Sequence, residues 1–217
     1  MKLYNTIHLE ESYWNMLQKE MQTSVDDFLL NKNKALLLNE NSEHKHINEV
    51  NKPFTNLTNE DLPIYSYIDE TNFLKSVPSF EKFLFDNNLQ IKVVLLNLSL
   101  NLKIHVDHSA SCESYEDYVK NLPEIQTAIC FPIYNTEDSY TTFYEPVHSN
   151  SFYKKYKNKT LLFEDNYSIR KIDEFTLTQP TIMKITVPHG VHSKSNKPRA
   201  VYSIRFKRNP WELFDEK

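Results

Sequence analysis

The chain has 217 residues, 40% hydrophobic and 25% charged, with a formal net charge of −4 at pH 7, the size and balance of one soluble globular domain with a sizeable core. The acidic balance offers no overall basic field to a nucleic-acid backbone, and neither a membrane-span-length apolar run nor a signal peptide follows Met1-Lys2-Leu3. Cys112 and Cys130 form neither a disulfide framework nor a zinc site, so a reducing cytoplasm is the expected compartment.

In chain order, residues 1–89 read as mostly helical, with residues 1–50 peripheral. From Glu10 to Phe28, Tyr13, Trp14, Leu17, Met21, Val25 and Phe28 recur at spacings of three and four, the one-sided stripe of an amphipathic helix. The segment 31–49 is polar, and its His44 and His46 read as a solvated loop. Pro53 to Pro63 reads as a connector. A second helix spans Thr71 to Asn88 and restarts at Pro78-Ser79, with Ser79 as its N-cap.

From Leu89 onward β-branched and aromatic residues alternate with Asn, Asp and Pro turns. Candidate strands are Ile91 to Leu98, Leu102 to Asp107, Thr127 to Tyr134, Tyr140 to Pro146, Ser168 to Leu177, Thr181 to Val187 and Arg199 to Phe206. Short strands in this number suggest a sandwich or barrel. The basic aromatic stretch Tyr153 to Lys159 reads as a solvated loop. Gly190 is the only glycine, where average usage gives about 15, so turns fall to Asp, Pro and the 22 asparagines. Beside a histidine, that glycine serves a close backbone approach, a positive φ or an ordinary turn.

Within Ile104-His105-Val106-Asp107-His108, His105 and Asp107 share one face of an extended strand. A distal histidine in Pro188-His189-Gly190-Val191-His192 would complete a two-His, one-carboxylate set that leaves three positions open on an octahedral iron(II). His192 competes for that place. His189 is preferred because it continues the Thr181, Met183, Ile185, Val187 face of its strand.

His105-x-Asp107, His189 within His-Gly-Val-His-Ser, and Arg199 ten residues on within Asn-Lys-Pro-Arg-Ala-Val-Tyr-Ser together resemble the 2-oxoglutarate/iron(II)-dependent oxygenase superfamily. The likeness covers about residues 90–207 and is nearest to its small single-domain phage and marine bacterial members. It implies a mainly β fold with flanking helices, a double-stranded β-helix (jelly roll) over 90–207 behind a helical part over 1–89, in one domain. It also implies iron(II), 2-oxoglutarate and O2 as cofactor and co-substrates, with His105, Asp107 and His189 as ligands and Arg199 gripping the far carboxylate of 2-oxoglutarate through a bidentate fork.

Ser203 would add a hydroxyl hydrogen bond to that carboxylate, and Tyr134, Asn135, Thr142 and Tyr144 are further candidates from the middle strands. If Arg199 faces inward, Val201, Ser203 and Arg205 share its face. Arg205 then meets an acidic group on the substrate or forms a cavity-wall ion pair, and His108 reads as a loop residue. Retention of Asp107 disfavours the halogenase branch, which leaves that position to chloride. The implied reaction is hydroxylation of a peptide side chain or small metabolite with release of succinate and CO2. Two other readings remain: a cupin-like metalloenzyme without 2-oxoglutarate, and a non-enzymatic phage or bacterial binding protein. Oligomeric state is not legible in the sequence.

Overall fold

In a computed structural model, residues 2–30, 53–57, 64–107, 115–120, 126–147, 153–155, 161–163 and 169–215 are described. His44, His46, His108, Cys112 and residues 156–159 lie outside them. The apolar stripe near the N-terminus forms helix α1 (Glu11–Leu30). The carboxylate of Glu10 starts it by accepting from the backbone N–H groups of Ser12 (3.0 Å) and Tyr13 (3.1 Å). The expected second helix is two helices, α2 (Glu70–Ser76) and α3 (Phe80–Asp86). Asp69 caps α2 by accepting from the Asn72 N–H at 3.1 Å. Ser79 does not cap α3: its N–H (3.0 Å) and hydroxyl (2.7 Å) both donate to Glu20 of α1. The competing carboxylate thus pins α3 to α1. Short helices α4 (Tyr115–Lys120) and α5 (Trp211–Phe214) follow later.

The strands are β1 (Tyr4–Thr6), β2 (Ile64–Ile68), β3 (Ile91–Ser99), β4 (Leu102–Val106), β5 (Thr127–Tyr134), β6 (Ser139–Pro146), β7 (Tyr153–Lys155), β8 (Leu161–Phe163), β9 (Ile169–Phe175), β10 (Thr181–Lys184), β11 (His189–Ser193) and β12 (Arg199–Phe206). They form two antiparallel six-stranded sheets, a major one in the order β1-β10-β5-β12-β3-β2 and a minor one in the order β7-β8-β4-β11-β6-β9. The fold is a double-stranded β-helix with helices against one face.

Alternation along the major-sheet strands divides the core in two. Val94, Leu96 and Leu98 of β3, Ile129 and Phe131 of β5, and Ala200, Tyr202 and Ile204 of β12 face outward. They pack against Trp14, Leu17, Met21, Phe73, Phe80 and Phe83 of the three helices. Helix α1 is therefore part of the core, contrary to the peripheral place expected from its sequence: Leu17, Met21, Val25 and Leu29 are fully buried, each a contribution of roughly 1.5–3 kcal/mol. The Ser24 and Tyr202 hydroxyls meet at 3.0 Å within this layer. Ala128, Cys130, Met183, Ile185 and Val201 face inward with Phe143 of the minor sheet, so the two sheets close on a common interior.

One expected strand is divided. Thr181 to Val187 does not run on as β10, which stops at Lys184. The Val187 N–H turns back to the Lys184 carbonyl (3.3 Å), and the Ile185 carbonyl accepts from the Asp107 N–H at 3.0 Å. Pro188 has no N–H for a ladder, while its carbonyl accepts from the Tyr144 N–H of the minor sheet at 2.8 Å. The chain crosses between sheets here, and His189 opens β11 instead of extending β10.

Candidate metal centre

Cross-strand register builds the site. His189 lies directly opposite His105 of β4 on one side and Phe143 of β6 on the other, so the three side chains share the inner face. The imidazoles sit with ring centroids 4.5 Å apart. Asp107, one residue past β4, approaches His105 with Oδ1 3.2 Å from Nε2. One ligand atom from each of His105, Asp107 and His189 falls within a 4.8 Å cluster. Each ring's Nδ1 is tied to a backbone carbonyl, Lys103 for His105 (2.6 Å) and Val187 for His189 (2.8 Å). A carbonyl only accepts, so Nδ1 carries the proton and Nε2 is the atom left to bind a cation.

Charge in the cluster is arranged for a cation. Burial works to raise the Asp107 carboxyl, but the hydrogen bond and charge of His105, then Arg205 and His189, hold it well below the usual carboxylate range. Burial pushes His105 down, and Asp107 more than offsets this, leaving it above its ordinary value. Burial, then the charge of His105, lowers His189 to about 4, which keeps it neutral at pH 7.

Arg199 projects into the same interior from the start of β12. Its residue is 5% exposed, its Nη1 reaches the Ser139 hydroxyl at a long 3.4 Å, and its buried Nε has no partner among the described residues. Burial lowers it to about 10, low for a guanidinium. The phenol of Tyr65, raised chiefly by burial, feels the charges of both Arg199 and Asp107. Asn97 Oδ1 and Ser99 Oγ on β3 are also buried without partners among the described residues. These residues lie opposite Val201 and Arg199 in register.

The remaining candidates divide between faces. Ser203 is buried on the inner face, opposite Cys130, to which it hydrogen bonds. Arg205 shares that face, with Nη2 3.4 Å from Asp107 Oδ2. Tyr134 is turned the other way. Ala200 pairs with Tyr134 but Val201 with Pro132, so Ile133 is an extra residue that flips the alternation, and the Tyr134 ring stacks on Phe54 at 4.4 Å. Asn135 takes a positive φ of 51° at the turn and donates to the Pro198 carbonyl at 2.6 Å. Thr142 and Tyr144 alternate with Phe143 and face away from the interior. The Thr142 hydroxyl donates to Glu174 at 3.0 Å, and the Tyr144 hydroxyl lies 3.0 Å from His192 Nε2. His192 shares that outer face, three residues beyond His189.

Tyr65, Asn97, Ser99 and Ser139 were missed as cavity residues. Asn97 and Ser99 carried a signal, polar residues alternating with Leu96 and Leu98 in an apolar strand.

No protein-family description matches the chain, and no curated protein does. Among solved structures, it is similar to EctD from S. alaskensis with 2-oxoglutarate and 5-hydroxyectoine, at 12% identity over 98% of this chain and 79% of that one, with a TM-score of 0.46. It is also similar to the non-heme alpha-ketoglutarate-dependent carbocyclase SnoK from nogalamycin biosynthesis, at 8% identity over 94% and 78% of the two chains and a TM-score of 0.48. A Lactobacillus farciminis oxalate decarboxylase matches at 10% identity over 68% of this chain and 29% of that one, with a TM-score of 0.33. At these scores none of the three bears on activity, and the functional reading rests on the arrangement of His105, Asp107, His189 and Arg199.

Proposed function

We propose that the chain is an iron(II)- and 2-oxoglutarate-dependent oxygenase that hydroxylates a small metabolite or peptide side chain and releases succinate and CO2. One observation carries this reading: a two-His, one-carboxylate cluster and a buried guanidinium whose Nε has no partner among the described residues both lie on the inner faces of the two sheets. The donor set suits iron(II) with open positions, and an orphaned buried donor of this kind calls for an anion. Bound there, iron and 2-oxoglutarate would supply the oxidative chemistry.

The protein's own groups bind and orient. The Nδ1 hydrogen bonds fix the ring planes of His105 and His189, and Asp107 is held ionised. Arg199 offers a planar fork to the far carboxylate of the co-substrate, a geometry a lysine would not match. Phe143, Met183, Ile185 and Val201 line the interior with apolar surface and exclude water.

Anaerobic titration with iron(II) and then 2-oxoglutarate, following the weak visible charge-transfer band of the chelate, tests this. The expected result is a band that is lost in Asp107→Ala, with succinate formed on admitting air. Iron binding without a band overturns the co-substrate assignment and leaves a cupin-like metalloenzyme. No iron binding overturns the enzyme reading and favours a binding protein.

A further inference from the structure

Seven buried side-chain polar atoms among the described residues lack a partner, and four of them belong to Asn97, Ser99, Arg199 and Arg205. All four residues sit on the inner faces of the adjacent strands β3 and β12. Unpartnered buried donors and acceptors are costly, and their concentration on one wall marks it as a surface built for polar ligands. The wall has two cationic ends. Arg199 and Arg205 are six residues apart on one strand, about 20 Å between backbones at roughly 3.3 Å per residue, so one small anion does not serve both.

Arg199 with Ser99 is the end assigned to 2-oxoglutarate. Arg205 stands at the other, against the metal ligand Asp107. Its ion pair among the described residues is the 3.4 Å approach of Nη2 to Asp107 Oδ2, its side chain is 21% exposed, and its buried Nε has no hydrogen-bond partner among them, so donors of its guanidinium are left for a ligand. Formal charge points the same way. With iron(II) and dianionic 2-oxoglutarate in place, Asp107 and the co-substrate balance all but one of the positive charges brought by the metal and the two arginines. An interior that holds an uncompensated cation favours a monoanionic guest.

From this wall, and resting on the reading of the site as a 2-oxoglutarate oxygenase, we infer that the substrate is an acid, whose carboxylate docks on Arg205. Because that guanidinium touches a metal ligand, the carbon to be oxidised lies only a few bonds from the carboxylate. Ser203, two residues from Arg205 on the same face and buried, is within the stretch of wall such a molecule would cover. A free carboxylic acid or an acidic side chain of a peptide meets this requirement. A neutral molecule or a cation does not.

Matched acids and primary amides test the inference: benzoate with benzamide, hexanoate with hexanamide, and N-acetylaspartate with N-acetylasparagine. Each is titrated anaerobically at millimolar concentration into wild-type protein loaded with iron(II) and 2-oxoglutarate, and binding is read by calorimetry and ligand-observed NMR. Acids that bind, with their amides roughly tenfold to a hundredfold weaker, are the expected result. Arg205→Gln should erase the difference and Arg205→Lys should keep part of it. Equal binding of acids and amides, or no acid bound at all, overturns the inference. The wild-type comparison decides it even if Arg205→Gln loses iron. The chelate band is recorded on the same samples. Its absence in the wild type would count against the oxygenase reading, whereas a normal band with no preference for acids would sink only the acid substrate.

Discussion

Replacing Arg199 by methionine should make the ligand-free protein more stable while removing its hold on 2-oxoglutarate. The guanidinium is buried, keeps one long hydrogen bond to Ser139, and has an unpartnered Nε. Lowering it from 12.5 to about 10 corresponds to roughly 3 kcal/mol of penalty on the charged form. An apolar side chain of similar length avoids that penalty. Allowing for imperfect packing, Arg199→Met should stabilise by about 1–3 kcal/mol, a rise of about 3–10 °C in Tm for a chain of this length. On the proposed function, the same change deletes a bidentate, charge-assisted grip of at least about 3 kcal/mol, so 2-oxoglutarate affinity should fall by about a hundredfold or more. Calorimetric melting of metal-free protein reads the first effect and the anaerobic chelate titration the second. A variant that melts below wild type and binds 2-oxoglutarate equally well would refute both the strain and the role assigned to this residue.

Iron(II) affinity should fall with acid in two stages. His105 stands above its ordinary value of 6.5, so below that pH it carries a proton that the metal must displace, costing about tenfold in affinity per pH unit. His189 stays neutral until about 4, where the slope should double; metal titrations that are flat from pH 6.5 down to 5 would contradict this. Gly190→Ala should lower both Tm and iron affinity. A Cβ there would sit 3.2 Å from Ile104 Cγ1 and from the Leu102 carbonyl oxygen, prising β11 from β4 at a cost of about 1 kcal/mol or more. A raised Tm would show that the usual entropic gain of Gly→Ala prevails instead.

Much of the site was legible because its spacing is local. His105 and Asp107 share a face by alternation alone, and β5 and β12 fell on the residues their apolar runs marked out. What escaped depended on partners far along the chain. Tyr134 obeys alternation until Ile133 bulges, and a bulge is a property of the β5–β12 pairing, not of β5. The face of Thr142 and Tyr144 was open until Phe143 was seen opposite His189. Tyr65 was missed because β2 begins just past the Pro53–Pro63 connector, where no element is marked out, and becomes a strand only by pairing with β3. His189 was chosen on the premise that it prolongs β10. It instead opens the next strand, and meets His105 through cross-strand pairing. Gly190 has no positive φ; what requires it is the closeness of β4.

Helix α1 has a further consequence for how this cavity can change. Its Ser24 hydroxyl holds Tyr202 from behind, and the neighbours of Tyr202 on β12, Val201 and Ser203, are cavity residues. The N-terminal segment thus acts as a backing plate for the wall that holds both arginines. Substitutions there, some 180 residues upstream in sequence, should shift Arg199 and Arg205 without touching either residue. A search for altered specificity confined to cavity-lining positions would miss them, and trimming the chain to its β-helical part would strip the plate away.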